Sequence, residues 1–226
     1  MASARQIKSC LKPLLDSNCD LILTDRSVIV LPVRHVLRAV LIDQTRSADC
    51  FRPRWYIHHL FSPRLWPHIS WGEEIYRSNS VSWSLSDTTA KSDLIHQIET
   101  VALPILRRIE TLDDYLRTIM ERWKWHHLIN DDWTRLPVEL AMGNLEEARK
   151  LCEGHVFTSS DPGSKEPDVW KAEAAGSKEL CRLIRAGDVA GAIAKLHDFE
   201  RRTAAALKIE KHWQETPFPV ELTPSQ

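Results

Sequence analysis

Lysine is missing from one long stretch of this sequence: none occurs between Pro13 and Ala90. Arginine carries the positive charge there instead. Its planar fork pairs bidentately with carboxylates and stacks on aromatic faces, which a compact ammonium does not do. From Arg26 to Arg77, eight Arg stand against Asp43, Asp49, Glu73 and Glu74, a local charge of +4. Residues 78–226 carry 19 basic and 24 acidic side chains. A coding bias toward arginine would give the same count. Over all 226 residues the net charge is −1, which supplies no global pull toward nucleic acid or a membrane surface.

Other absences exclude whole mechanisms. The seven glycines are scattered, and neither GxxxxGKS/T nor GxGxxG occurs, so the usual phosphate-binding loops are missing. There is no GxSxG, and no cysteine lies in a recognisable catalytic setting. The start, MASARQIKSC, has no apolar h-region, and no run reaches the roughly 18 apolar residues that would span a bilayer. Cys10, Cys19, Cys50, Cys152 and Cys181 are odd in number and never in a CxxC spacing. The simplest expectation is a reduced, cytoplasmic protein with no cofactor and no membrane contact.

What the chain does contain is a change of periodicity. Residues 3–17 predict a helix with Ile7, Cys10, Leu11, Leu14 and Leu15 on one side and Asn18 as its stop. DLILT and SVIVL flank Asp25-Arg26, a tight connection between two strands, and Pro32 ends the second. HVLRAVLID predicts a third strand with Arg34 and Arg38 outward. Gln44–Pro53 reads as a loop. RWYIHHLF follows as a strand, with Trp55, Ile57, His59 and Phe61 on one face and Tyr56, His58 and Leu60 on the other. SVSWSLS alternates strictly, with Val81, Trp83 and Leu85 inward. Short connections favour an antiparallel sheet of four or five strands.

Thr89–Trp125 reads as two helices laid on that sheet. Leu94, Ile98, Val101, Ile105 and Ile109 form one apolar stripe, and Leu112, Leu116, Ile119 and Trp123 a second. Pro104 predicts a kink or break, and Thr111 an N-cap with Asp113 and Asp114 in the first turn. Beyond Trp133 the pattern is wholly helical. AMGNLEEARKL and RAGDVAGAIAKL both place Gly-Asn or Gly-Asp before an amphipathic segment. Gly143 and Gly187 would end one helix, and Asn144 and Asp188 cap the next, with Glu147 completing a capping box. Residues 157–167 read as a flexible link, a last helix as running from about Val189 to Trp213, and TPFPVELTPSQ as a tail. The expected class is α+β: a sheet domain over 1–125 covered by helices, then an all-α helical-hairpin domain over 126–226.

VSWSL followed by ALPILRRIETLDDYL resembles the DUF4304-like α/β domains of uncharacterised bacterial proteins, over residues 1–125. The Gly-Asn and Gly-Asp turns resemble those between paired helices in tetratricopeptide-type repeats. The first resemblance implies a small α/β fold, no established activity, and kinship with immunity proteins of bacterial toxin systems.

Candidate chemistry is sparse. His58 and His59 are adjacent on a strand and point to opposite faces, so they cannot share a metal. His126 and Asp131 could contribute to a metal site, the basis of an alternative reading as a metal-dependent hydrolase. The densest constellation is Arg46, Arg52, Arg54, Trp55, His58, Arg64, Trp66, His68 and Trp71. Interleaved Arg and Trp can form a protein-binding hot spot or stack bases and neutralise phosphates. They can equally be core tryptophans beside solvated arginines. The reading that follows is a non-catalytic protein that binds an acidic protein partner through this surface, as an immunity-type inhibitor or adaptor. A nucleic-acid-binding accessory role is a further alternative.

Overall fold

The computed structural model describes residues 4–45, 49–64, 71–77, 83–84, 86–123, 132–154 and 168–222. The chain divides into two compact units, one of residues 1–58 and 68–118, the other of residues 59–67 and 119–226. It is an α+β protein: an antiparallel sheet with its own helices, then a helical part. No helix among the described residues is long and apolar enough to cross a membrane.

The first unit opens with α1 (Ala4–Ser17), whose Ile7, Cys10, Leu11 and Leu14 are buried at helical spacing. Asn18 stops it by donating from Nδ2 to the Leu14 carbonyl at 2.8 Å. Strands β1 (Leu21–Thr24) and β2 (Ser27–Val30) pair through the two-residue connection Asp25-Arg26, where Asp25 takes a positive φ of 53°. Next come β3 (Val36–Gln44), β4 (Cys50–His59), β5 (Gly72–Glu74) and β6 (Trp83–Ser84), in spatial order β1-β2-β3-β4-β5. Strand β6 lies beside β4 at Cys50 and Phe51, while β5 takes Arg54 to Tyr56.

Two expectations change here. The stretch 44–53 is not simply a loop, because β4 starts at Cys50 and buries Phe51 and Pro53 while Arg52 faces out. From Trp55 to His59 both faces of β4 are buried, so that end of the strand has no wet side. Of SVSWSLS, only Trp83 and Ser84 fall within the described residues before Ser86. Trp83 is buried and its Nε1 donates to the Ile75 carbonyl at 3.0 Å. Ser84 is half-buried and its hydroxyl donates to Asp49.

The helical cover departs from the expected stripe in an instructive way. It consists of α2 (Ala90–Gln97), a π turn at Ile98–Ala102, and α3 (Leu103–Arg107). Pro104 has no N–H to offer the preceding turn and its ring crowds the carbonyl four residues back. The helix answers by widening rather than breaking at the proline: the Leu103 N–H reaches the Ile98 carbonyl, five residues back. One residue is thereby added to the turn. Leu94, Ile98 and Ile109 remain buried as expected, but Val101 is exposed and Ile105 half-buried. Ala102, Leu103 and Leu106 take the interior places instead. Helix α4 (Leu112–Trp123) then starts on a reciprocal cap. The Asp114 N–H donates to Thr111 Oγ1 at 3.1 Å, and the Thr111 N–H donates back to the Asp114 carboxylate at 3.1 Å. That hydroxyl and those backbone donors hold Asp114 below the usual carboxylate range. Leu112, Tyr115 and Ile119 are buried; Leu116 and Trp123 are half-buried.

The second unit is built from α5 (Asp132–Met142), α6 (Leu145–Gly154), α7 (Asp168–Arg185), α8 (Val189–Ala206) and the short α9 (Pro219–Leu222). The two Gly-Asn and Gly-Asp turns share one backbone solution. Gly143 and Gly187 have φ of +84° and +72°. The N–H groups of Gly143 and Asn144 return to Leu140 and Glu139, and those of Gly187 and Asp188 to Ile184 and Leu183. This is the Schellman pattern, twice. Asp188 also caps α8 by accepting from the Gly191 N–H at 2.8 Å. The first copy differs from expectation: Glu147 bonds Arg135 rather than reaching back to Asn144, and the Asn144 amide donates to Glu139.

Two further corrections concern this unit. Cys152 and Cys181 form a disulfide joining α6 to α7, so the cysteines are not all reduced thiols; Cys10, Cys19 and Cys50 are free. The Arg185 guanidinium donates to the Cys152 carbonyl beside it. The expected link 157–167 lies outside the described residues. The last long helix ends at Ala206, with Lys208 turning the chain at a φ of 57°, and the segment after it is docked rather than a loose tail. Phe218 is fully buried, its ring 4.5 Å from His197 and edge-on to Phe61 at 5.2 Å. Glu221 holds the turn by accepting from the Phe218 N–H at 2.7 Å. Its carboxylate lies 2.9 Å from His197 Nε2, while Glu200 lies 3.3 Å from Nδ1.

Candidate functional site: an arginine-lined pocket

Among the described residues, those singled out by sequence are not all exposed. Trp55 is 1% exposed, Trp71 4% and His58 2%, so three of the expected partner-binding side chains are interior. For Trp55 the reason is strand alternation, with Arg52 and Arg54 outward and Phe51, Pro53 and Trp55 inward; His58 shares the parity of the arginines and is interior because both faces of β4 are covered at that end. An indole removes more apolar surface from water than any smaller side chain, so it goes to the covered face. Arg52 is exposed. Arg54 pairs with Glu74 on the adjacent strand at 3.4 Å. Arg64 belongs to the second unit and donates to the buried Glu173 at 2.9 Å. Arg46, Trp66 and His68 lie outside the described residues, as do His126 and Asp131 of the alternative metal site. Among the described residues no group of three His, Cys, Asp or Glu is placed to hold a metal ion.

The first unit instead presents a pocket of about 400 Å³. The end of β2, the cis Leu31–Pro32 peptide and the start of β3 form one wall. The connection from α3 to α4, Ile109 to Leu112, forms the other. Three arginines line it: Arg34, Arg38 and Arg107.

Arg38 is the unusual one, because its residue is only 6% exposed. A buried cation loses hydration worth many kcal/mol unless polar partners replace it. Its Nη1 donates to the Ile109 carbonyl at 2.9 Å and, at 3.5 Å, to Leu106; Nη2 donates to the Pro32 carbonyl at 2.7 Å. Leu106 lies in the last turn of α3, where the helix dipole favours positive charge, and Ile109 follows in the connection to α4. No carboxylate among the described residues comes within ion-pair distance of Arg38; Glu110 and Asp20 act on it only from farther away. Burial therefore pulls its pKa below the ordinary guanidinium value, yet an arginine remains charged at neutral pH. A guanidinium has five N–H donors, and carbonyls engage three bonds' worth of them, which leaves capacity for another acceptor.

The other two arginines differ from it. Arg107 is committed: Nε and Nη2 grip both Asp20 oxygens at 2.8 and 2.7 Å, and Nη2 also donates to Asn18. That bidentate grip holds Asp20 below the usual carboxylate range. Arg34 is exposed and makes no ion pair among the described residues. Arg38 was expected to point outward with Arg34, and the structure corrects that. The signal was present in VLRAVLI, where one charge interrupts six apolar residues. A strand buried on both faces has no outward side, so its lone charge must find partners inside.

No family model, no curated protein and no solved structure matches the chain. The chemistry must be read from the pocket itself. It holds a buried, partly uncommitted guanidinium beside a second, exposed one, with apolar residues in its walls. That arrangement suits holding an anionic oxygen pair.

Proposed function

We propose that the chain is a non-catalytic binding protein whose sheet unit grips an acidic group of a protein partner. Occlusion of that partner, as an immunity-type inhibitor would achieve it, is the most concrete form. The observation that supports this is Arg38, a buried cation beside an open pocket with no carboxylate paired to it among the described residues. An anion entering the pocket supplies the missing counter-charge in a setting where water competes less. The grip moves from the expected Arg/Trp surface to the pocket of Arg34 and Arg38, because Trp55 and Trp71 are interior.

The test is affinity capture from the native host with the wild-type protein and with Arg34→Glu, a change at an exposed position. A specific partner is expected to be retained by the wild type, to be released by raised salt, and to be lost from the variant. The partner is then made recombinantly and its affinity measured directly. An unchanged set of captured proteins, or unchanged affinity for the recombinant partner, would refute this placement of the grip.

A further inference from the structure

The balance of charge and apolar surface in the pocket narrows the ligand. Arg38 offers a planar fork, which matches two coplanar oxygens better than a point charge does. Among the described arginines of the lining, Arg34 adds the second uncommitted cation, since Arg107 is held by Asp20 and Asn18. Asp20 and Glu110 stand among the lining residues and oppose a ligand of high negative charge. Nothing in the lining resembles a glycine-rich loop of backbone donors for a phosphate. The apolar part of the wall is Val30, Leu31, Pro32, Val36, Ile109 and Leu112, and His35 and Thr111 add polar groups beside it. At about 400 Å³ the space lies toward the small end of ligand sites, enough for a residue-sized body rather than a nucleotide.

We infer that the pocket takes a monocarboxylate carrying a compact apolar body, with the carboxylate on Arg38 and Arg34 and the body against Val36, Ile109 and Leu112. This rests on the proposed grip on an acidic group and specifies its chemistry. Two sources share it: the C-terminal end of a partner chain finishing in an apolar residue, and a small branched organic acid. A glutamate or aspartate side chain within a chain would bring the charge without the apolar body.

The experiment is isothermal titration of the full chain with five probes. They are an acetylated tripeptide ending in free-acid leucine, the same peptide amidated, 4-methylpentanoate, a blocked peptide with an internal glutamate, and inorganic phosphate. The free-acid peptide is expected to bind, and amidation to weaken it at least tenfold. Binding of 4-methylpentanoate at comparable affinity assigns the organic acid as sufficient; much weaker binding assigns the chain end. Arg34→Gln, an exposed change that leaves the fold alone, should weaken the free-acid peptide several-fold. Arg38→Lys keeps the charge, loses the fork, and should weaken it more. Equal binding of the amidated peptide, or preference for phosphate, overturns the inference. If the internal-glutamate peptide binds as well as the free acid, the acidic grip stands and the monocarboxylate assignment falls. If no carboxylate binds at all, both fall.

Discussion

Replacing Phe218 with alanine tests whether the C-terminal segment is a working part of the helical unit. The ring is fully buried between His197 and Phe61. A phenylalanine buries on the order of 200 Å², which at about 25 cal/mol per Å² gives an upper figure of about 5 kcal/mol. Residual burial in the unfolded chain lowers this by roughly 10–40%, and the edge-on pair with Phe61 adds about 1 kcal/mol. Core Phe→Ala changes fall in a range of about 3–5 kcal/mol, so a loss of about 4–5 kcal/mol is expected. The loss has a ceiling. If the segment detaches while the other helices stay folded, the loss cannot exceed the free energy of its docking. Chemical denaturation of the wild type, Phe218→Ala and Phe218→Leu reads the effect, with Phe218→Leu retaining most of the stability. A chain ending at Thr216 should lose at least as much as Phe218→Ala, because Val220 near Gly143 and Glu221 on His197 go with it. A shift of under about 1 kcal/mol in Phe218→Ala would refute the docking described here.

The same latch has a pH dependence. Glu200, and then Glu221, raise the His197 pKa above the ordinary imidazole value, against the opposing effect of burial. A raised native pKa means the stabilisation is complete below about pH 6.5 and is lost as pH climbs through the native value. The stability difference between wild type and His197→Gln should therefore shrink from about pH 5.5 to about pH 8.5, and a difference independent of pH would sink the assignment. The Cys152–Cys181 bond closes a loop at a sequence separation of 29. Loop-closure entropy puts its loss at roughly 3.5 kcal/mol. Paired Cys152→Ser and Cys181→Ser, or reduction with dithiothreitol, should lower the denaturation midpoint of the helical unit, and an unchanged midpoint would show that the bond constrains nothing.

Much of the architecture was legible because it is written in periodicity. Runs of β-branched residues with short connections gave the sheet, and the repeated Gly-Asn and Gly-Asp gave two helix turns whose positive φ only glycine adopts easily. Thr111 announced a cap, and its reciprocal partner Asp114 stood where such a partner must stand. What periodicity does not carry is the effect of distant partners. Cys152 and Cys181 are brought together by helix packing, which no local spacing encodes. Phe218 looked like part of a tail because its ring partners lie on Phe61 and His197, far away in sequence. Trp55 and Trp71 differ from expectation for another reason. Arg–Trp interleaving on a strand is equally the signature of alternation, and one covered face is enough to turn a supposed contact surface into core. The burial of Arg38 could be read from VLRAVLI, but its partners could not, because they are main-chain carbonyls with no side-chain identity to read.

The widened turn at Ile98–Ala102 has one more implication. Helix α2 rests on α1, and α3 rests on β3, so a single rod serves two neighbours that lie in different directions. A uniform helix can keep a greasy side toward only one of them. The surplus residue acts as a phase shifter, rotating everything downstream by about 100° relative to everything upstream. The rear half can then settle on the sheet and aim its last carbonyls at a strand arginine. The pocket's most distinctive side chain thus owes its bonding partners to a helical irregularity located several residues away, at a proline.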